Sequence, residues 1–304
     1  LEQEEAEAAF TSLIRGELSD VEIAALLGAL KTRGETAAEI AGAAGALRAA
    51  ARPFPKPDYP VADTCGTGGD GAGTINVSTA AAFVAAEAGV KVAKHGNRAT
   101  SSRCGSADVL EAAGVRLEVE PEVARRCLDE VGICFLYAPA YHPGIRRAAA
   151  VRRTLRTRTV FNLLGPLANP ARPEVQVLGG YDPRLVGPLA ETLATLGCRA
   201  ALVVHGSGLD EIALHGPTTA ARLDRGRIEL LTLTPEAAGV RRAPLEALAG
   251  GTPSDGATWL VELVSGRGDP VHADAVAINA GALLWIHGIE PTHRDGTRRA
   301  REIL

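Results

Sequence analysis

From residue 61 onward, short β-rich runs alternate with stretches of helical periodicity, and this alternation constrains the fold more than any other feature. The runs Val61–Cys65, Val90–Ala93, Ile133–Tyr137, Val175–Leu178 and Ala201–Val204 are interleaved with helical patterns starting at Ser78, at Ser106 and across Pro121–Val131. Such an order implies βαβ units with right-handed crossovers. The expected fold is therefore α/β, with a mostly parallel central sheet flanked by helices. Around Arg222-Leu223-Asp224-Arg225-Gly226-Arg227-Ile228 the pattern reads as a hairpin, which would add an antiparallel edge. Two late helical patterns, from Ser254 and from His272, are expected to close the chain.

The first part of the chain reads as helices only. Ala6, Ala9, Phe10 and Leu13 share one face, and Ile23, Leu26, Leu27 and Leu30 another. Ser19 followed by Glu22, and Thr36 followed by Glu39, are capping boxes that would satisfy free N–H groups at helix starts. Arg52-Pro53-Phe54-Pro55-Lys56-Pro57 cannot continue a helix, because each proline lacks an N–H and restricts its predecessor. We expect a small helical domain over residues 1–57, with 143–166 as the segment that could complete it, and an α/β domain over 58–304. The apolar faces of the opening helices exceed what one small domain buries, which predicts a homodimer through them.

Charge and cysteines narrow the function. With 32 basic and 36 acidic residues the net charge is −4, interspersed along the chain, so no basic stripe is offered to nucleic acid or to an anionic membrane. The apolar stretches Ala80–Ala86 and Ala273–Ile286 are too short or too interrupted to span a bilayer, and no charged-then-apolar leader opens the sequence, which reads as cytoplasmic. Cys65, Cys104, Cys127, Cys134 and Cys198 are odd in number and lack a C-x-x-C pair, which argues against disulfides and against zinc. The chain has no Met and begins at Leu1, as expected of a piece of a protein or of an altered form of one.

Three segments carry the chemistry. Asp63-Thr64-Cys65-Gly66-Thr67-Gly68-Gly69-Asp70-Gly71 follows the first predicted strand, and its glycines let backbone N–H groups converge on phosphate oxygens. By itself such a segment is more often an ordinary turn. Asn76-Val77-Ser78-Thr79 then opens an apolar helix, whose N-terminal N–H groups and partial positive charge favour an anion. Lys94-His95-Gly96-Asn97-Arg98, with Ser101, Ser102 and Ser106, follows the second predicted strand. Open α/β sheets bind ligands beyond the carboxyl ends of their strands, so both clusters should face one crevice.

The order of these segments resembles the anthranilate phosphoribosyltransferase family. The matching motifs are Gly66-Thr67-Gly68-Gly69-Asp70, Asn76-x-Ser78-Thr79, Lys94-His95-Gly96-Asn97-Arg98, Gly105-Ser106-Ala107-Asp108-Val109-Leu110-Glu111, Phe161-Asn162-x-Leu164-Gly165-Pro166-Leu167 and Gly208-Leu209-Asp210-Glu211. The resemblance spans essentially the whole chain. It implies a helical domain hinged to an α/β domain, and transfer of the phosphoribosyl group of PRPP to anthranilate with Mg2+, in tryptophan biosynthesis. By position, it implies PRPP contacts at Gly66, Gly69, Asp70, Thr74, Asn76, Ser78, Thr79, Lys94, Asn97, Ser102 and Ser106. Anthranilate contacts are implied at Gly66, Asn97 and Arg152, with His95 and His142 bordering the pocket. Ser78, Asp210 and Glu211 resemble ligands of one or two Mg2+ ions. No covalent nucleophile is expected, and Lys94 and His95 would act through the electrostatics of the pocket.

Taken without the resemblance, Asp210-Glu211 could be a solvated turn, Arg152 one arginine of a basic exposed helix, and His142 a loop histidine. As exposed acids, Asp210 and Glu211 should matter little for stability. His205, His215, His272 and His287 read as structural or surface residues. Cys104, Ile75 and Arg156 stand where the family commonly has serine, phenylalanine and glycine, and Arg156 would add charge near the acceptor pocket. A pyrimidine nucleoside phosphorylase shares a similar plan but needs no metal-binding acid pair. A nucleic-acid-binding relative would be expected to carry a basic excess.

Overall fold

The computed structural model describes residues 1–99 and 103–304. Three helices open the chain, α1 (Gln3–Arg15), α2 (Asp20–Arg33) and α3 (Ala37–Ala49). Both anticipated capping boxes form: the Ser19 and Thr36 hydroxyls accept from the N–H groups of Glu22 and Glu39, whose carboxylates accept from the cap N–H groups in return. The proline-rich stretch that follows has neither helix nor strand.

Seven strands then build one sheet: β1 (Ala62–Gly66), β2 (Val92–Gly96), β3 (Ile133–Tyr137), β4 (Val175–Gly179), β5 (Ala200–His205), β6 (Thr218–Asp224) and β7 (Arg227–Leu233). Their order is β3-β2-β1-β4-β5-β6-β7, parallel from β3 to β5 and antiparallel beyond. The expected hairpin is β6–β7, closed by Arg225 and Gly226 with φ of +47° and +86°, the pair of positive angles that suits the twist of a two-residue turn. Because strand order reverses between β1 and β4, the crevice beyond their carboxyl ends is the natural binding position.

The helices between and after the strands are α4 (Val77–Glu87), α5 (Ser106–Ala112), α6 (Pro121–Val131), α7 (Ala138–Tyr141), α8 (Ala149–Leu155), α9 (Phe161–Leu167), α10 (Val186–Thr195), α11 (Pro235–Ala238), α12 (Pro253–Val264), α13 (Pro270–His287) and α14 (His293–Ile303). The sequence reading missed α7, α9, α10, α11 and α14. In α14 the buried face is His293, Gly296, Thr297 and Ala300, so the helix lacks the apolar repeat that would reveal it.

Alternation along β5 divides the interior. Ala200, Leu202 and Val204 enter a core with α4 and α13, whereas Ala201 and Val203 enter a second core with α10 and the opening helices. That second core joins Phe10, Leu13, Leu27 and Ile40 to Val151, Phe161 and Leu164 and to Leu189 of α10. The apolar faces that looked surplus in the sequence are thus largely covered within the chain. Among the described residues of α1–α3, the large apolar side chain left outside is Val21, 78% exposed.

Arg48 ties the two layers together. From α3 its Nε donates to the Leu167 carbonyl at 2.6 Å, and Nη1 donates to the Leu196 carbonyl at 3.3 Å, so one guanidinium closes the C-terminal ends of α9 and α10. Arg48→Met keeps the aliphatic stem and leaves both carbonyls unsatisfied, so it should destabilise the protein by about 1–3 kcal/mol. A denaturant midpoint equal to that of the parent protein would show that the bridge contributes nothing.

Candidate active site

The site forms where the sheet changes direction. Gly66 ends β1, Gly179 ends β4, and the two are register partners. The backbone and side chain of Asp210 lie directly over them, so a Cβ on either glycine would fall well inside van der Waals contact with Asp210. The two glycines let the 206–213 loop descend onto the strand ends. Asp210 Oδ2 then accepts the N–H of Gly68 at 2.6 Å, and Glu211 Oε1 accepts the N–H of Ser78 at 3.3 Å. Gly68 and Gly69 have φ of +68° and +78°, conformations in which a side chain would be strained.

The start of α4 lies alongside. Asn76 precedes the helix but makes no side-chain cap; its Nδ2 donates instead to the Cys104 carbonyl at 3.2 Å. An ordinary Ser or Thr cap is therefore not what this polar cluster provides. Thr79 is buried, and its hydroxyl has no partner among the described residues. Lys94, buried at 3% exposure, donates from Nζ to the Thr64 carbonyl at 2.6 Å and to Ser78 Oγ at 3.3 Å. Two of its three protons are thereby used and one remains for the crevice.

The acids are not exposed, which corrects the sequence-based expectation. Both are half-buried. Burial pushes the Asp210 carboxyl above the usual carboxylate range, and the nearby Asp70 charge pushes it further. Glu211 is raised well above its ordinary value, first by burial and then by the charge of Asp210, with Lys94 opposing. Carboxylates held together and partly shielded from water call for a cation. Among the described residues no three His, Cys, Asp or Glu side chains form a complete metal cage. Two or three hard oxygens with open positions is the pattern that suits Mg2+ completed by phosphate and water.

The second cluster is ordered around Asn97. Its carbonyl accepts from Ser106 Oγ at 3.4 Å and from the Ala107 N–H at 3.2 Å, joining it to the start of α5. Arg98 turns away, pairing with Asp108 and Glu111. Thr74 forms a β-bridge to Ala249, which straps the end of the glycine-rich loop to the segment before α12. Ser102 lies outside the described residues.

On the helical side, His95 and His142 are buried with ring centroids 5.2 Å apart. His95 Nδ1 lies 3.0 Å from the Gly165 carbonyl, which assigns the proton to Nδ1 in the neutral ring. Arg152 is stacked over Phe161 at 5.1 Å. Arg156, expected to add charge to the pocket, is an exposed residue at the end of α8 with φ of +48°. Its importance is conformational: glycine is common where the backbone is left-handed, and arginine adopts that region at a cost of about 1–2 kcal/mol. Ile75 is a buried core residue, and Cys104 packs beside the same core.

One contact escaped the sequence reading. Arg158 donates to the Gly69 carbonyl at 2.7 Å and stacks on Tyr181 at 4.3 Å, clasping the glycine-rich loop. Among so many arginines between 146 and 158, no spacing marked it.

Comparison with known proteins settles the family. A glycosyl transferase family α/β-domain model matches residues 58–304, and the helical-bundle model of that family matches residues 1–51. Anthranilate phosphoribosyltransferase of Sorangium cellulosum is 61% identical over 304 residues, covering 100% of this chain and 87% of that protein. The chain belongs to the anthranilate phosphoribosyltransferase family. The crystal structure of the Thermus thermophilus family member superposes with a TM-score of 0.96 at 49% identity, covering 100% of this chain and 91% of that one. The Saccharomyces cerevisiae family member, in complex with PRPP and Mg, gives a TM-score of 0.86 at 28% identity over 97% of this chain and 85% of its own. That yeast protein is also known with 4-fluoroanthranilate bound.

The paired histidines generate a pH prediction. Burial pushes His95 from 6.5 down to about 3, with the His142 charge adding to it, and pushes His142 down to about 4. The unfolded chain therefore binds protons that the folded protein refuses, and stability present above pH 6.5 is withdrawn as pH falls toward those values. Between pH 7 and pH 5 each histidine should withdraw up to about 2 kcal/mol. His142→Gln should flatten that fall in the denaturant midpoint; an identical pH dependence in parent and variant would contradict it.

Proposed function

We propose that this chain transfers the 5-phosphoribosyl group of PRPP to the amine of anthranilate, releasing pyrophosphate and forming N-(5-phosphoribosyl)anthranilate for tryptophan biosynthesis. The observation that carries the reading is the convergence of the Gly66 loop, the start of α4, Lys94 and the Asp210–Glu211 pair on the β1/β4 switch point. Gly66, Gly69, Asp70, Thr74, Asn76, Ser78, Thr79, Lys94, Asn97, Ser102 and Ser106 hold PRPP. The unpartnered Thr79 hydroxyl and the remaining Lys94 proton supply donors that a phosphorylated ligand would satisfy.

Ser78, Asp210 and Glu211 are assigned as ligands of one or two Mg2+ ions. When bound, the metal neutralises pyrophosphate charge as the bond to the anomeric carbon breaks. Lys94 and the backbone N–H groups of the loop oppose the same charge from fixed positions, at no cost of reorientation during the reaction. Gly66, Asn97, Arg152, His95 and His142 form the anthranilate side. A guanidinium matches a carboxylate in two-point geometry, and the neutral His95 ring presents an acceptor at Nε2. An aromatic amine is unprotonated at neutral pH, so attack needs alignment rather than a strong base.

The protein is further read as a cytoplasmic homodimer joined through α1–α3. Cys65, Cys127, Cys134 and Cys198 form no disulfide among the described residues, which suits a reducing compartment, and Val21 offers an apolar contact on α2. No described helix is long and apolar enough to cross a membrane. Light scattering at micromolar concentration should give twice the chain mass, and a monomer would remove the dimer from the proposal.

Loss of anthranilate fluorescence with purified protein, PRPP and Mg2+ tests the reaction. Absence of turnover, or equal turnover without Mg2+, overturns it. Asp210→Asn combined with Glu211→Gln keeps the shapes and removes the charges. It should abolish Mg2+-dependent turnover without lowering the metal-free melting temperature; an unfolded double variant would make the acids structural.

A further inference from the structure

The loop that carries both acids has little regular structure of its own. It turns on a bridge in which Gly206 and Leu209 exchange N–H to carbonyl hydrogen bonds of 2.9 and 3.1 Å. Beyond that bridge its backbone is held by side chains. Asn279 of α13, 2% exposed, accepts the Ile212 N–H through Oδ1 at 2.9 Å and donates from Nδ2 to the Ile212 carbonyl at 3.1 Å. The same Nδ2 donates to the Ala275 carbonyl one turn earlier at 2.9 Å. A carboxamide that both accepts from and donates to one residue reproduces the pairing an antiparallel strand would supply. The next N–H, that of Ala213, is taken by Thr218 Oγ1 at 3.0 Å.

The surroundings make this amide conspicuous. Ala275, Val276, Ala277, Ile278, Ala280 and Ala282 of the same helix are buried apolar residues. A polar group in such company is unfavourable unless fully hydrogen-bonded, and every donor and acceptor here is spent on the loop or on its own helix. Helix α13 also packs against α4, the helix whose Ser78 N–H reaches Glu211. One rigid helix therefore references both sides of the acid pair.

We infer that Asn279 is a positioning residue for Asp210 and Glu211: its buried carboxamide sets how far the acidic loop descends onto the ends of β1 and β4, and through that the affinity of the site for Mg2+ with PRPP. It acts through Ile212, the neighbour of Glu211. The inference rests on the proposed reading of the acids as magnesium ligands.

Asn279→Leu preserves size and removes the hydrogen bonds, and Asn279→Ser is a smaller replacement that loses the reach to Ile212. Calorimetric titration of PRPP at graded Mg2+, without anthranilate, should show the half-saturating Mg2+ rising about 10–100-fold in both variants. Amide hydrogen exchange at Ile212 and Ala213 should quicken. KM for anthranilate at saturating Mg2+ should stay at the parental value. Leu283→Ala, a cavity variant in the same helix and core, should lower the melting temperature and leave the Mg2+ dependence unchanged. If the parent binds PRPP equally well without Mg2+, the underlying magnesium reading fails. If the parent requires Mg2+ and both Asn279 variants half-saturate at the parental concentration, only the present inference fails. If neither variant folds, Asn279 is a structural residue and the inference is overturned.

Discussion

Everything at this site depends on a close approach that only two adjacent glycines allow. Asp210 sits over Gly66 and Gly179 with no room for a methyl group on either strand end. That approach takes the two acids out of bulk water and aligns Asp210 with the Gly68 N–H. It also explains why the carboxyl groups hold their protons more tightly than free acids do: desolvation, not an unusual partner, is the leading cause for both. A site built this way favours positive charge beside the acids.

Much of this was legible in the sequence because it is written in local rules. Strand and helix alternation, the capping boxes at Ser19 and Thr36, and the Arg225-Gly226 turn each follow from residues within a few positions of one another. The glycine-rich loop and the Asn76 segment were recognisable for the same reason. What could not be read was the long-range part. Asp210 looked exposed because nothing near it in sequence says that a strand end lies beneath. Arg158 and Asn279 reach across 89 and 67 positions to their partners, and neither belongs to a periodic pattern. Helix α14 was invisible because small residues, rather than apolar ones, make its contact.

The departures from the family also divide along physical lines. Ile75 replaces one apolar core residue by another, and Arg156 is a backbone matter at the end of α8. Family membership and geometry support each other through the same residues: the motifs through their order, and the structure through their convergence.

The sharing of β5 between two interiors has a further consequence. Family models recognise residues 1–51 and 58–304 as separate domains, yet Ala201 and Val203 bury themselves against a layer to which the opening helices contribute. Cutting at the proline-rich connection would not release two self-sufficient modules. It would expose apolar surface on α9 and α10 as well as the inner faces of α1–α3, turning a folded protein into two sticky fragments. In evolutionary exchange the helical start and the segment around 148–168 would have to travel together, although more than ninety residues of sheet-forming chain lie between them.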